Sequence, residues 1–390
     1  MISPVIPYAV LWTLLLFLFS LRITTIINEP LYPATIILVG CNILGLIISY
    51  CLIGSLGVYK SKTKKNDWSY QIPVKLLKKI NKLFDIIVIV GNLLNGIYRG
   101  GWPLLWLIIG DEKNYADYGI PTYTGLLNAL YAISVVSFLV SNLHQKKSLL
   151  TYRSLFYIFY PILVGNRGLF IFLAIQSFVV FSTIKRASFK KTILGWIAII
   201  VVIIGFGVLG DFRTNDFDHK IKSGIVRSEY QKYVSSLTSG FLWVYLYSTG
   251  PINNLNSHIN YVDPSYVPFY SLTGFLPSIV RDLFQPKGVY PFPLVSPLIN
   301  TFTAYANYLN DFGLELTILI FFVYHLFLIN FYFKLKRGDI FAIFGYSSLF
   351  SAHMLSFFWD FYTIWYTIFQ IIFSFYFINH HVYKKILSFK

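Results

Sequence analysis

Arginines and carboxylates between residues 160 and 315 are the side chains whose types and spacing indicate chemistry. Arg167 stands in the run Gly-Asn-Arg-Gly at 165–168, and Asp-Phe-Arg at 211–213 follows a long apolar stretch. A guanidinium binds phosphate oxygens through a planar fork and stays protonated at neutral pH. These arginines predict a site for an anionic ligand such as pyrophosphate.

Further candidates follow along the chain. Arg227 and Arg281 add positive charge, and either Asp311 or Glu315 offers a general base. Plainer interpretations stay open: Arg167 as an arginine at a turn that reaches toward the membrane surface, surface ion pairs for the other arginines, and a helix N-cap for Asp311.

Other motifs carry less weight. Asp216 and Asp218 form a D-x-D pattern, but metal binding there is the less favoured interpretation and no metal site is predicted. His353, in the middle of an apolar stretch, is interpreted as a packed, hydrogen-bonded side chain. Motifs for ATP binding and for the common hydrolytic mechanisms are missing from the sequence.

Composition defines the elements that position these residues. Of 390 residues, 56% are hydrophobic and 12% are charged, against roughly 25% charged in a soluble domain. So few charges cannot cover a soluble surface of this size. The sequence therefore predicts a polytopic membrane protein and excludes a soluble enzyme, a disordered protein and a nucleic-acid binder. The two cysteines share one apolar stretch and predict neither a disulfide framework nor a metal cluster.

Ten apolar stretches have the character of membrane spans. They predict an all-α helix bundle that forms a single transmembrane domain over residues 1–390. The stretches lie at roughly 5–27, 33–57, 83–98, 122–142, 154–165, 168–184, 192–210, 314–333, 340–358 and 361–379. With ten spans, every large cluster of Lys and Arg falls on one side, which places both termini in the cytoplasm. The net charge of +16 then reflects topology.

Three regions depart from a simple bundle. Residues 211–312 are predicted to form a large, ordered periplasmic segment. Long ordered loops are usually functional. The lysines at 75–82 alternate with apolar residues and predict a short amphipathic helix on the inner leaflet. The fifth span has only about twelve residues, roughly 18 Å of helix against an apolar core of roughly 30 Å. Arg167 is therefore expected in a recessed cavity.

Together these features resemble the O-antigen polymerase family, also called oligosaccharide repeat-unit polymerases. The resemblance rests on the run 165–168 before an apolar span, on the large segment that opens with 211–213, and on Asn-Thr-Phe-Thr at 300–303 leading to Asp-Phe-Gly at 311–313. It covers the whole chain in layout but few residues by motif.

The resemblance implies a glycosyltransferase of the bacterial inner membrane that needs no metal and no cofactor. Its substrates are oligosaccharide repeat units on undecaprenyl pyrophosphate, joined at the periplasmic face among membrane lipids. Its implied partners are a chain-length regulator and a flippase, and nucleic acid is not among them. The alternatives are an O-antigen ligase, which takes the same donor, and, in another class, a polysaccharide flippase or transporter.

Roles for the candidate residues follow from this implied reaction. Arg167 and Arg213 are assigned to the charge that develops on the leaving pyrophosphate, and Asp311 to the general base. The remaining candidates are assigned to substrate binding: Arg281, Arg227, Asn166 and Asn300.

Overall fold

The described part of the chain is helical. A computed structural model describes residues 1–56, 73–111, 113, 117–185, 193, 195, 197, 224–234, 239–284, 294–296 and 299–387. The helices are α1 (Val5–Ser20), α2 (Pro33–Ser55), α3 (Val74–Arg99), α4 (Pro103–Ile109), α5 (Tyr123–His144), α6 (Tyr152–Leu163), α7 (Arg167–Ile184), α8 (Ser228–Val234), α9 (Ser239–Tyr261), α10 (Phe269–Thr273), α11 (Ser278–Phe284), α12 (Tyr305–Lys336), α13 (Ala342–Met354) and α14 (Trp365–Leu387). The prediction of an all-α bundle is confirmed for these residues, in which an isolated bridge between Thr24 and Val226 is the only β-pairing.

Five of these helices are long and apolar enough to cross a membrane, namely α2, α3, α5, α7 and α12, and α1 is a shorter apolar helix. They indicate a membrane protein. Nine of the ten apolar stretches coincide with described helices, whereas the stretch at 192–210 lies almost entirely outside the described residues. The count of ten spans and the side on which each end lies stay predictions.

The packing separates central from peripheral helices. The apolar window of α5 is 78% buried and that of α2 only 28%, and every residue of α13 is buried. On α1, Ile6, Val10, Leu14 and Phe17 are all at least half exposed and recur at helical spacing along one face. Such an apolar outer surface suits contact with lipid chains rather than water.

The bundle has two ends, which are named here by the residues that they carry. The end that carries residues 1–4, 145–151 and 337–341 is called here the basic end. The opposite end carries the turn 164–166, the loop 355–364 and the described residues between 224 and 304, and is called the loop end.

Helix α3 runs without a break through the lysine-rich stretch, so the separate amphipathic helix predicted there is instead its first turns. Asn81 and Asp85 lie on its buried face, and Arg153 of α6 reaches both. The Arg153 Nη1 donates to Asn81 Oδ1 at 2.6 Å, and its Nε lies 3.7 Å from Asp85 Oδ2. This contact anchors α6 at the basic end.

Two of the helices are shorter than a full membrane span. α6 has 12 residues and α13 has 13, which gives each about 18–20 Å of length, less than the apolar thickness of a bilayer. Gly165, at φ 68°, turns the chain after α6, and α7 begins two residues later. The recessed position expected for Arg167 stays a prediction.

Candidate functional site

The two interrupted helices end beside one another and beside α10. A Cβ placed on Gly168 would lie 3.5 Å from the Phe361 ring, and one placed on Gly274 would lie 2.9 Å from Thr363 Oγ1. The turn 164–168, the loop 355–364, the stretch 269–274 and the first turns of α12 therefore form one contiguous region. We refer to it as the loop-end cluster.

Arg167 is the first residue of α7 and is half-buried. The side chain of Asn166 caps the same helix, because its Oδ1 accepts a hydrogen bond from Leu169 N at 2.9 Å. The Arg167 guanidinium forms no hydrogen bond or ion pair with any residue that the structure describes. A cation at a helix N-terminus adds to the positive end of the helix dipole, so this turn favours an anion.

Asp311 is buried in α12 and holds α10 in place. Its Oδ2 accepts hydrogen bonds from Ser271 N and Ser271 Oγ, both at 2.6 Å, and its Oδ1 accepts one from Asn310 Nδ2 at 3.2 Å. These bonds run to α10 and to the neighbouring side chain, so they do not form the helix cap that was the plainer interpretation. The carboxylate joins the outer stretch 269–274 to a membrane helix.

Asp360, which is not among the residues predicted from the sequence, is a second buried carboxyl group in the cluster. It is 3% exposed, and its oxygens accept from Tyr362 N at 3.0 Å, Thr363 Oγ1 at 3.1 Å and Tyr308 Oη at 3.3 Å. Burial raises the pKa of Asp360 to about 6. A buried carboxyl group whose pKa lies near neutrality is a typical functional-site feature.

Two predicted binding residues lie outside the cluster. Arg227 donates from Nη2 to Ile27 O at 2.9 Å and from Nε to Thr24 O at 3.3 Å, which ties the segment at 224–234 to the connection between α1 and α2. Asn300 is exposed, a few residues before α12. Neither is brought to Arg167 by a described contact.

Arg281 lies on α11, close to the cluster. Its Nη2 is 3.3 Å from Asp282 Oδ1, and the Arg281 side chain is 40% exposed. The start of α11 packs on the start of α5, where Thr122 N donates to Ser278 Oγ at 2.6 Å. Arg281 is thus paired, yet accessible at the loop end.

Arg213 and the D-x-D pair at Asp216 and Asp218 lie outside the described residues. Among the described residues, no group of three or more His, Cys, Asp or Glu side chains is placed to hold a metal ion.

The cluster can bind an anion at the start of α7 and can exchange a proton at the buried carboxyl group of Asp360. Comparison of the chain with protein-family models, with curated proteins and with solved structures finds no match.

Proposed function

We propose that the chain is a surface-polysaccharide polymerase that joins oligosaccharide repeat units carried on undecaprenyl pyrophosphate. The observation that carries this proposal is the loop-end cluster, in which two short membrane helices bring an arginine that no described residue pairs into the same region as two buried carboxyl groups. A substrate with a lipid tail, a charged diphosphate and a sugar requires an apolar, a cationic and a polar environment next to one another.

Arg167 supplies the cationic part. Cleavage of a sugar–pyrophosphate bond leaves extra negative charge on the phosphate oxygens, and preorganised donors aimed at that charge lower the barrier. The Asn166 cap and the Gly165 turn fix the backbone from which the Arg167 side chain extends. Arg213 and Arg281 are proposed to assist.

The acceptor sugar must lose a hydroxyl proton, and we assign this proton to Asp360. Its pKa of about 6 lies close to the working pH, where a general base is most effective. Asp311 was the base predicted from the sequence. Its Oδ2 accepts two hydrogen bonds from Ser271 of α10, so we propose that it positions the outer segment.

The competing functions differ in what they transfer. A ligase passes the same donor onto a lipid A core, and a flippase moves the carrier-linked unit without chemistry. Interrupted helices also occur in transporters, where they hold substrates and ions. Arg167, which no described residue pairs, and an acid–base carboxyl group in the same region favour group transfer, because a flippase has no leaving group to stabilise.

The test is the lipopolysaccharide pattern of a strain that lacks the gene. We expect cores that carry a single repeat unit and a return of the long-chain ladder when the gene is restored. Bare core would instead indicate a ligase or a flippase and would contradict the proposal.

The proposal also requires the loop end to face the periplasm and the basic end to face the cytoplasm. In a chain with Cys41→Ala and Cys51→Ala, we expect Tyr266→Cys to react with a membrane-impermeant maleimide in intact spheroplasts. Leu150→Cys should react only after lysis. Both side chains are exposed, at 70% and 91%, so access depends on the side of the membrane. The reverse labelling pattern would overturn the topology and the proposed site.

A further inference from the structure

A pair of histidines lies inside the bundle, next to the loop 355–364. His325 on α12 and His353 in the last turn of α13 have no exposed surface. His325 Nδ1 and His353 Nε2 are 2.8 Å apart. Ionisable side chains in the interior of a membrane bundle are rare, and they mark ion and proton pathways. The proposed transfer reaction uses neither ring.

Two neutral imidazoles satisfy the two hydrogen bonds of this pair but leave no hydrogen for His325 Nε2. The Leu349 carbonyl oxygen can only accept, so His353 Nδ1, 2.9 Å away, carries a hydrogen. A second hydrogen lies between the two rings. In a neutral pair these two bonds use both N–H groups, and His325 Nε2 is left as an acceptor.

His325 Nε2 faces α2, where it meets more acceptors. The atom is buried and has no hydrogen-bond partner among the described residues. A Cβ on Gly45 would lie 4.0 Å from it, and the Asn42 backbone carbonyl lies close to the ring. In the same turn of α2, Asn42 Oδ1 is another buried acceptor that no described group satisfies. A proton on Nε2 would turn this mismatch of acceptors into donor–acceptor contacts.

We propose that His325 and His353 form a proton-binding site within the membrane domain. One proton taken from solvent adds to the neutral pair and gives a singly charged imidazole–imidazolium pair. Its three hydrogens then point to the Leu349 carbonyl, between the rings, and toward the Asn42 turn. No covalent bond other than the new N–H forms or breaks.

The surroundings of the pair are aromatic and offer one carboxyl group. From α1, the Tyr8 ring packs against both imidazoles, with ring centroids 5.9 Å and 5.7 Å away. From α12, Tyr305 donates to or accepts from Tyr8 Oη at 2.7 Å. From the loop, the Tyr362 ring lies 5.1 Å from His353. Aromatic rings and hydroxyl groups of this kind are compatible with a shared positive charge.

Asp360 links this environment to the loop end. It accepts from Tyr362 N, and through Tyr308 Oη it connects to Tyr324 Oη, 3.0 Å further on. Tyr324 in turn stacks on Tyr362 with ring centroids 4.5 Å apart. Because the Tyr362 ring also packs on His353, a carboxylate in this position supplies a counter-charge for the protonated pair.

The test is ¹⁵N NMR of the full chain in lipid nanodiscs with labelled histidine, titrated between about pH 8 and pH 5. Only seven histidines contribute signals. We expect an imidazolium signal in the wild type that shows coupling across the N–H···N bond. It should be lost in both His325→Asn and His353→Asn and kept in His144→Asn, a histidine at the basic end.

The coupled signal identifies the pair in the wild type alone, so the result does not depend on variants that fold poorly. A pair that keeps only two hydrogens over the whole pH range would overturn the proposal. This outcome is independent of polymerase activity, which the strain without the gene reports separately.

Discussion

Replacement of Arg167 by either alanine or lysine is expected to abolish long-chain polymer while the protein still inserts and accumulates. Removal of one preorganised contact to the charge of a transition state costs about 10²–10³ in rate. Lysine is a poor substitute, because it offers a point charge on a flexible stem in place of a planar fork. The measurement is polymer length on a gel at matched membrane abundance.

Arg22 provides the matched control. It also lies at the loop end, in the connection after α1, and no described contact joins it to the cluster. Arg22→Lys and Arg22→Ala should leave polymer length unchanged. If Arg167→Lys also gives polymer of normal length, only charge near the surface matters at this position. The residue would then have no specific role, and Arg213 would become the leading candidate.

Asp360→Asn is expected to abolish activity and, at the same time, to stabilise the protein at neutral pH. Loss of a general base typically lowers the rate by about 10²–10⁴. The pKa of Asp360 is raised by burial from 3.8 to about 6. The contribution of this carboxyl group to the stability of the wild type is therefore fully present when the group is protonated, below about pH 4. The wild type loses stability as the pH rises through 6, by up to about 3 kcal/mol.

An amide has no such dependence, so the variant should be more stable than the wild type above pH 6 and similar to it near pH 4. Thermal unfolding in detergent across this range measures the difference. Asp311→Asn is the control, since it should loosen α10 and lower stability at every pH. Full activity in Asp360→Asn, with activity lost in a well-folded Asp311→Asn, would return the base to Asp311.

The wild-type rate should itself rise with pH through about 6 and then level off, because the base must be ionised to accept a proton. A rate that is flat across this range in the wild type would separate Asp360 from the chemistry.

Much of the helical architecture could be predicted because apolar runs and the basic residues that bound them are local properties of the sequence. The start of α7 was expected at 168 and lies at Arg167, directly after the Asn166 cap. The shortness of α6 was readable in the same way. The extent of α3 was not, because its first turns are rich in lysine and its buried face carries Asn81 and Asp85. These residues are stabilised by α5 and α6, and composition does not reveal such neighbours.

The site could be predicted only in part. Arg167 was recognisable as an arginine between two apolar stretches. Asp360 was not among the predicted residues, although an acid between the apolar stretches at 340–358 and 361–379 is itself a signal. Its partner Tyr308 is 52 positions away in the chain, and Tyr8 meets Tyr305 across 297 positions. Contacts between residues so far apart in the chain depend on how the helices are rotated against one another, and hydropathy does not determine that rotation. The same holds for the histidine pair, of which the sequence predicted a packed, hydrogen-bonded His353 but not its partner.

The most direct measurement of the central claim uses purified protein in nanodiscs with repeat units on undecaprenyl pyrophosphate as the sole substrate. Wild-type protein should convert single units into a ladder of longer carrier-linked chains and release undecaprenyl pyrophosphate, and Arg167→Ala should leave the units unchanged. Units that stay single with the wild type, or that are transferred only when a lipid A core is added, would contradict a polymerase.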